Sequence, residues 1–364
     1  MTGLKVVELA RVLAGPWAGQ VLADLGAEVV KVESPEGDDT RRWGPPFVAN
    51  PEGTEDAAYF HAANRGKRSV VADLATEAGG AAVIALVREA DVLIENFKVG
   101  GLAKFGLDYD GLREINPRLV YCSITGFGQD GPYAHRAGYD FIIQGMSGIM
   151  DMTGDPAGPP QKIGVAYADI LTGLYAVIAI QAALRQREAT GRGQHIDMAL
   201  MDVMVGTLAN QAMNYLVSGV TPVRMGNAHP NIAPYEAFPV AQGWVIIAAG
   251  NDAQFGRLRE VLALPPNPRW HTNAGRVLDR AALSTAISER TRHWTGDALL
   301  AACDARGIPA GPINTVAEAL ADPQVVARKM VIEHDGVKGL RTPIRFSDAE
   351  LAPARRSPTL GENS

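Results

Sequence analysis

Asp169 is the residue whose type and placement most invite covalent chemistry. It stands in Gly164-Val165-Ala166-Tyr167-Ala168-Asp169, directly before an apolar stretch at 170–184 that reads as a helix. A carboxylate at a helix start is favoured by the helix dipole, and free amides there can steady a developing oxyanion. Carboxylates also serve as covalent nucleophiles. The same position suits a plain N-cap, which accepts hydrogen bonds from the first turn and stabilises a helix by about 1 kcal/mol. Local sequence leaves cap and catalyst both open.

A second concentration of polar groups is Gly37-Asp38-Asp39-Thr40-Arg41-Arg42-Trp43-Gly44-Pro45-Pro46. It reads either as a solvated loop with an internal Asp–Arg pair or as an arginine-lined, tryptophan-walled mouth for carboxylate or phosphate. Lys98, Lys104 and Arg136 fall at or just after the carboxyl ends of predicted strands, where open α/β sheets bind ligands. Singly, each also suits an ordinary surface charge. Gly126-Phe127-Gly128-Gln129-Asp130-Gly131 has GxGxxG spacing, but Pro132 and a broken polar stretch follow where a dinucleotide site needs an apolar helix. It reads as a tight loop rather than an NAD site. The seven histidines are scattered, with no HExxH and no helical pair, so no metal is expected. Ser147 lacks the spacing of a nucleophile elbow and reads as a turn residue.

The elements that must position these groups can be read from periodicity. Apolar runs at 4–9 and 28–32 flank a helix opened by Gly15-Pro16 and stopped by Gly26, a βαβ unit. Helices at 75–89 and 109–115 lead to strands at 92–96 and 119–125, and a strand at 195–200 precedes a helix at 202–217. This alternation implies a doubly wound, Rossmann-like α/β domain on a parallel sheet. Near Ser218 the texture changes. Strands at 235–240 and 244–249 flank a hairpin turn, and helices are expected at 254–262, 281–290 and 297–306, forming a smaller α+β domain. The tail from 331, with Pro343, Pro353 and Pro358, suits short edge strands or an arm.

The 364 residues carry 34 basic and 40 acidic side chains, a net charge of −6. That length suggests about two domains, and 47% apolar residues exclude a disordered chain or a disulfide-stapled miniature. The mild acidity argues against a nucleic-acid groove but allows a local basic patch for a small phosphorylated ligand. Arginine far outnumbers lysine, which fits either codon bias or bidentate anion binding. Cys122 and Cys303, far apart and without a CxxC, fit a reducing cytosol. No targeting pattern precedes the first strand. The stretch at 170–184 falls short of the ~20 residues of a membrane span, so it reads as a buried core helix of a soluble, cytoplasmic protein with no membrane association.

Several motifs, in order along the whole chain, resemble the class III (formyl-CoA transferase-type, CaiB/BaiF) CoA-transferases. They are Arg11-Val12-Leu13-Ala14-Gly15-Pro16, the segment from Ala23-Asp24-Leu25-Gly26-Ala27 to Glu33, Asn64-Arg65-Gly66-Lys67-Arg68-Ser69, Glu95-Asn96-Phe97, the glycine loop at 125–132, Ala137-Gly138-Tyr139-Asp140 and Thr190-Gly191-Arg192-Gly193-Gln194. Within that family, Asp38-Asp39-Thr40-Arg41, Trp43-Gly44-Pro45-Pro46-Phe47, Tyr121-Cys122-Ser123-Ile124-Thr125 and Gly250-Asn251 look nearest to the succinate–hydroxymethylglutarate, or dicarboxylate, branch.

The resemblance implies a large CoA-binding domain at 1–200, a linker helix at 201–224, an inserted small α+β domain at 225–325 and a return to the large domain at 326–364. It also implies an interlocked homodimer. Asp169 would be the nucleophile, and Leu13, Ala14, Asn96, Phe97, Lys98, Lys104, Arg136 and Tyr139 would contact CoA. Arg41, Tyr139, Gly250 and Asn251 would meet the acid. The substrates would be an acyl-CoA, succinyl-CoA or similar, and a free dicarboxylic acid, with no permanently bound cofactor. Two departures argue against formate–oxalate exchange: Leu13 stands where formyl-CoA transferase has glutamine, and Ser34-Pro35 replaces a CoA-contacting arginine. The same fold supports α-methylacyl-CoA racemases, but those have histidine where this chain has Tyr139, and a tyrosine of ordinary pKa near 10 is a poor base at pH 7. A non-catalytic CoA-binding protein would have no need of Asp169.

Overall fold

Apolar runs without alternation need cover on both faces, and the folded chain supplies it. The computed structural model describes residues 1–352 and 355–364. It divides into two units, one of Met1–Ile149, Lys162–Gly219 and Gln324–Ser364, the other of Met150–Gln161 and Val220–Pro323. The segment Met150–Gln161, expected in the larger domain, groups with the smaller. There Arg224 donates to the Asp151 carbonyl and carboxylate, and the Gly226 N–H donates to the Gly154 carbonyl.

The first unit opens with β1 (Lys5–Glu8), α1 (Ala14–Asp24) and β2 (Glu28–Glu33). Its long loop holds a short hairpin, β3 (Phe47–Ala49) and β4 (Glu55–Ala57), then α2 (Ala58–His61) and β5 (Arg68–Val71). Next come α3 (Glu77–Glu89), started by Thr76, which accepts from the Gly79 N–H, then β6 (Val92–Glu95), α4 (Tyr109–Ile115) and β7 (Val120–Thr125). The set closes with α5 (Asp140–Met146), α6 (Tyr167–Thr190), β8 (His195–Ala199), α7 (Leu200–Gly206) and α8 (Ala209–Ser218). The single helix expected at 202–217 is therefore two, because the chain turns at Thr207 and Leu208 and Ala209 adopts φ +47°.

Six strands pair in parallel in the order β5-β2-β1-β6-β7-β8. This is a doubly wound sheet whose order reverses between β1 and β6, and ligands bind at such switch points beyond the carboxyl ends of the strands. Val6, Val92, Ile94, Val120 and Cys122 face the α1 and α6 side, while Val7, Leu93 and Tyr121 face the α3 and α4 side.

Two close approaches decide where the site forms. A Cβ on Gly173 would lie 2.7 Å from the Ala14 carbonyl oxygen, so only glycine lets α6 rest against the first turn of α1. A Cβ on Gly126 would lie 2.5 Å from Gly138 Cα, which ties the loop after β7 to the start of α5. The core helix expected at 170–184 extends over Tyr167–Thr190 and is buried on one side only. Ala176, Val177 and Ile180 are in the core, whereas Ile178 is 62% exposed and Leu174 and Tyr175 also face outward. By length and composition alone α6 could cross a membrane.

In the second unit β9 (Tyr235–Pro239) and β10 (Trp244–Ala248) form the expected antiparallel hairpin, and β11 (Ala310–Pro312) adds a third strand. Helices α9 (Asp252–Val261), α10 (Asn273–Leu278), α11 (Arg280–Thr291), α12 (Gly296–Asp304) and α13 (Val316–Ala321) accompany it. Phe238, Val245, Leu258, Leu283 and Leu299 make its core. After α14 (Pro323–Ala327), the tail forms a hairpin, β12 (Val331–His334) with β13 (Val337–Leu340). Pro353, expected in that tail, lies outside the described residues.

Candidate active site

A cleft of about 820 Å³ opens at the switch point of the first unit. Three βα loops build its walls: the turn after β1 supplies Leu13 and Ala14, the loop after β6 supplies Asn96, Phe97 and Lys98, and the loop after β7 leads to Arg136 and Tyr139. Lys104 and Asp169 line it too. Two of the cation side chains stand against aromatic rings. The Arg136 guanidinium lies 4.5 Å from the Tyr133 ring centre, and the Lys104 ammonium 4.6 Å from that of Phe105. Glu95 fixes the second loop by accepting the Phe97 N–H at 2.7 Å. Burial pushes Glu95 up to about 7, against the pull of the Ser123 hydroxyl and that N–H.

Asp169 is not the helix cap. α6 starts at Tyr167, so Asp169 sits inside the first turn, and the capping position falls on Ala166, which has no side chain to offer. Asp140 does that work from α5, accepting the Ala168 N–H at 2.8 Å while its other oxygen accepts from the Gln144 amide at 2.8 Å. Asp169 is left half-buried and uncommitted to capping. Burial, reinforced by the nearby Asp140 carboxylate, pushes its pKa up to about 7. Tyr59 belongs to the same environment. Burial raises its pKa, and the negative charges of Asp169, Asp140 and Asp38 raise it further. Trp43 packs edge-on against Tyr59 with ring centres 5.4 Å apart. A carboxylate with a pKa this high is more basic than usual, and a carboxylate short of hydrogen bonds makes the better nucleophile.

The residues expected to meet CoA thus gather in one cleft with Asp169. Arg41 does not join them. It is 5% exposed, its Nε and one terminal nitrogen bind Glu33 at 2.9 and 2.7 Å, and the other binds Asp56 at 2.8 Å. Its guanidinium also lies 3.7 Å from the Phe60 ring centre. With every nitrogen engaged below the surface, no face of Arg41 remains for an acceptor carboxylate. Gly250 and Asn251 lie in the second unit. Asn251 starts α9 by accepting the Gln254 N–H at 2.9 Å, and Gln254 in turn accepts the Gly250 N–H at 2.8 Å. Asp140 and Tyr59 went unassigned from sequence. Asp140 was within reach, since it closes the Ala137-Gly138-Tyr139-Asp140 motif, but its role depends on a contact across 28 residues.

These features define a doubly wound α/β protein with a carboxylate in a cation-lined cleft at the switch point of its sheet. The model of CoA-transferase family III matches residues 1–364. The chain is 58% identical over 373 residues to the succinate–glutarate CoA-transferase of Agrobacterium fabrum, covering 100% of this chain and 93% of that protein. It is 41% identical to the succinyl-CoA:glutarate CoA-transferase of Homo sapiens, covering 100% and 84%. Among solved structures, a CAIB/BAIF family protein from Brucella suis shares 65% identity with a TM-score of 0.91, covering 99% of this chain and 96% of that one. The chain belongs to CoA-transferase family III, and it is a CoA-transferase acting on CoA thioesters.

Proposed function

We propose that this enzyme transfers CoA from succinyl-CoA to a dicarboxylic acid, with glutarate the first acceptor to test. The observation that carries the mechanism is Asp169, half-buried, free of capping duty and raised to about 7 in the cleft lined by the residues expected to contact CoA. The names and full-length similarity of the relatives support the substrate pair. Asp169 attacks the thioester carbonyl, the C–S bond breaks, and a mixed anhydride and CoA thiolate result. The thiolate then attacks the aspartyl carbonyl, releasing succinate and leaving an aspartyl-CoA thioester. The acceptor carboxylate attacks that thioester, and the same steps run in reverse. Each step exchanges acyl groups of similar energy, so positioning and amide donors carry the catalysis.

The test is incubation of the protein with succinyl-CoA and a panel of free acids: glutarate, 3-hydroxy-3-methylglutarate, malate, itaconate and mesaconate. New CoA esters are quantified by mass spectrometry. Glutaryl-CoA formation supports the proposal. Absence of any new ester, with scrambling of a 2-methylacyl-CoA stereocentre, would instead identify a racemase.

The nucleophile is the ionised carboxylate, so its raised pKa sets the pH response. The rate under kcat/KM conditions should rise as pH increases through about 7 and level off above it. A rate already flat from pH 5 to 8 would contradict an Asp169 nucleophile in this environment.

We further propose an interlocked homodimer in a reducing, cytoplasmic compartment. Phe141 and Ile142 of α5, Leu174 and Ile178 of α6, and Leu216 and Val217 of α8 are exposed apolar side chains of the first unit, and a second copy would cover them. Cys122 and Cys303 are free and buried, as suits a reducing compartment. Sedimentation velocity should show one dimeric species at every concentration; a monomer at micromolar protein would refute this.

A further inference from the structure

The first βα turn is held in a conformation its sequence does not favour. Val12 has φ +69°, in the left-handed region. A β-branched residue avoids that region, and persists there only where its surroundings over-determine it. Two other loops do so here. Asp38 accepts the Val12 N–H, 3.2 Å from its nearer oxygen. Asn96 brackets the preceding residue, accepting the Arg11 N–H at 2.9 Å and donating to the Arg11 carbonyl at 2.7 Å.

Asp38 is itself buried and fully engaged. It is 1% exposed, lies 2.9 Å from the Lys31 ammonium, and accepts from both the N–H and the hydroxyl of Thr40. Its own N–H donates to Glu33. Burial alone would raise its pKa, but Lys31 and the Thr40 donors outweigh burial and hold it below the usual carboxylate range. The residues after Val12 are Leu13 and Ala14, which line the cleft with Asp169. Asp169 lies one turn before Gly173, where α6 touches the Ala14 carbonyl.

We propose that Asp38 is a positioning residue for CoA transfer: by holding the Val12 N–H it keeps the turn left-handed and sets Leu13 and Ala14 against the reacting end of the cleft. It acts through the backbone and takes no part in bond making. The inference rests on the reading of this cleft as the CoA-transfer site.

The test compares kcat and KM for succinyl-CoA with glutarate, alongside melting temperature, in wild type, Asp38→Ala and Asp38→Ala/Val12→Gly. A parallel pair carries Lys31→Met as well, which removes a buried ammonium that has lost one of its two carboxylate partners, while Glu8 keeps Lys67. Asp38→Ala should lower kcat roughly ten- to a hundredfold, the scale of a small misplacement near the chemistry. Val12→Gly should restore most of that rate in both backgrounds, because glycine adopts φ +69° without steric cost, yet should not restore the melting temperature. A merely structural Asp38 would show the opposite, with rate following stability. Wild-type kcat in Asp38→Ala, or no recovery on adding Val12→Gly in either background, would overturn the proposal. A wild-type protein that moves no CoA to any acid would overturn the functional reading and this inference with it.

Discussion

Asp169→Asn is expected to lower kcat for CoA transfer by on the order of 10⁴-fold or more, since the covalent route is lost while binding and amide donors remain. The same variant should be more stable than wild type at neutral pH. The folded pKa of Asp169 lies above that of an unfolded aspartate, about 3.9, so ionising it costs the fold. That penalty is absent below about pH 4, grows as pH rises, and is complete above about pH 7. Discounted for the partial exposure of the side chain, the gain at pH 8 should be on the order of 1–2 kcal/mol. It should fade on titration towards pH 4. α6 does not depend on Asp169 for its start, because Asp140 holds the Ala168 N–H. Circular dichroism and thermal unfolding at pH 8 and pH 4.5, run beside the transfer assay, check both halves. An inactive variant that is also destabilised at pH 8 would mark Asp169 as a structural residue.

Arg41→Ala should act on the fold rather than on acceptor choice. Breaking a buried pair by removing one partner costs about 3–5 kcal/mol, and here Glu33 and Asp56 both lose the same cation. Glu33 is held below the usual carboxylate range against the effect of burial, chiefly by the Arg41 hydrogen bond and then by Lys31. With a folded pKa below the unfolded one, Glu33 contributes stability above about pH 4 that is lost as pH falls further. The variant should therefore unfold at lower urea and lose part of the wild type's acid-dependent stability change. Arg41→Lys should recover little, because an ammonium cannot reproduce the planar fork that reaches both carboxylates. The ratio of rates with dicarboxylic and monocarboxylic acceptors, measured on the folded fraction, should match wild type. A selective loss of dicarboxylic acceptors from a stable protein would return Arg41 to the acceptor site.

The misplacement of Arg41 shows what a sequence withholds. Asp38, Asp39, Arg41 and Arg42 read as one polar loop, but a short 3₁₀ turn at Asp39–Arg42 sorts them. Asp38 and Arg41 point into the protein, and Asp39 and Arg42 pair with each other on the surface. Their inward partners, Lys31, Glu33 and Asp56, lie on other elements, so local pattern could not supply them. The β1-α1-β2 opening and the parallel character of the sheet were legible because long apolar runs and glycine stops are local signals. β5 was missed, being four residues framed by charge, as was α5, which is only seven residues long. Asp169 stood out by type and position, but its release from capping is set by Asp140 and could not be read from its own neighbours.

Asp169 should carry the group being transferred as a covalent intermediate. The most direct check is to mix the enzyme with succinyl-CoA alone, quench in acid, digest, and read the mass of the peptide containing Asp169. CoA is expected in thioester linkage on that side chain, discharged on addition of glutarate and absent from Asp169→Asn. Efficient transfer with that peptide unmodified, or with the adduct on another residue, would contradict it.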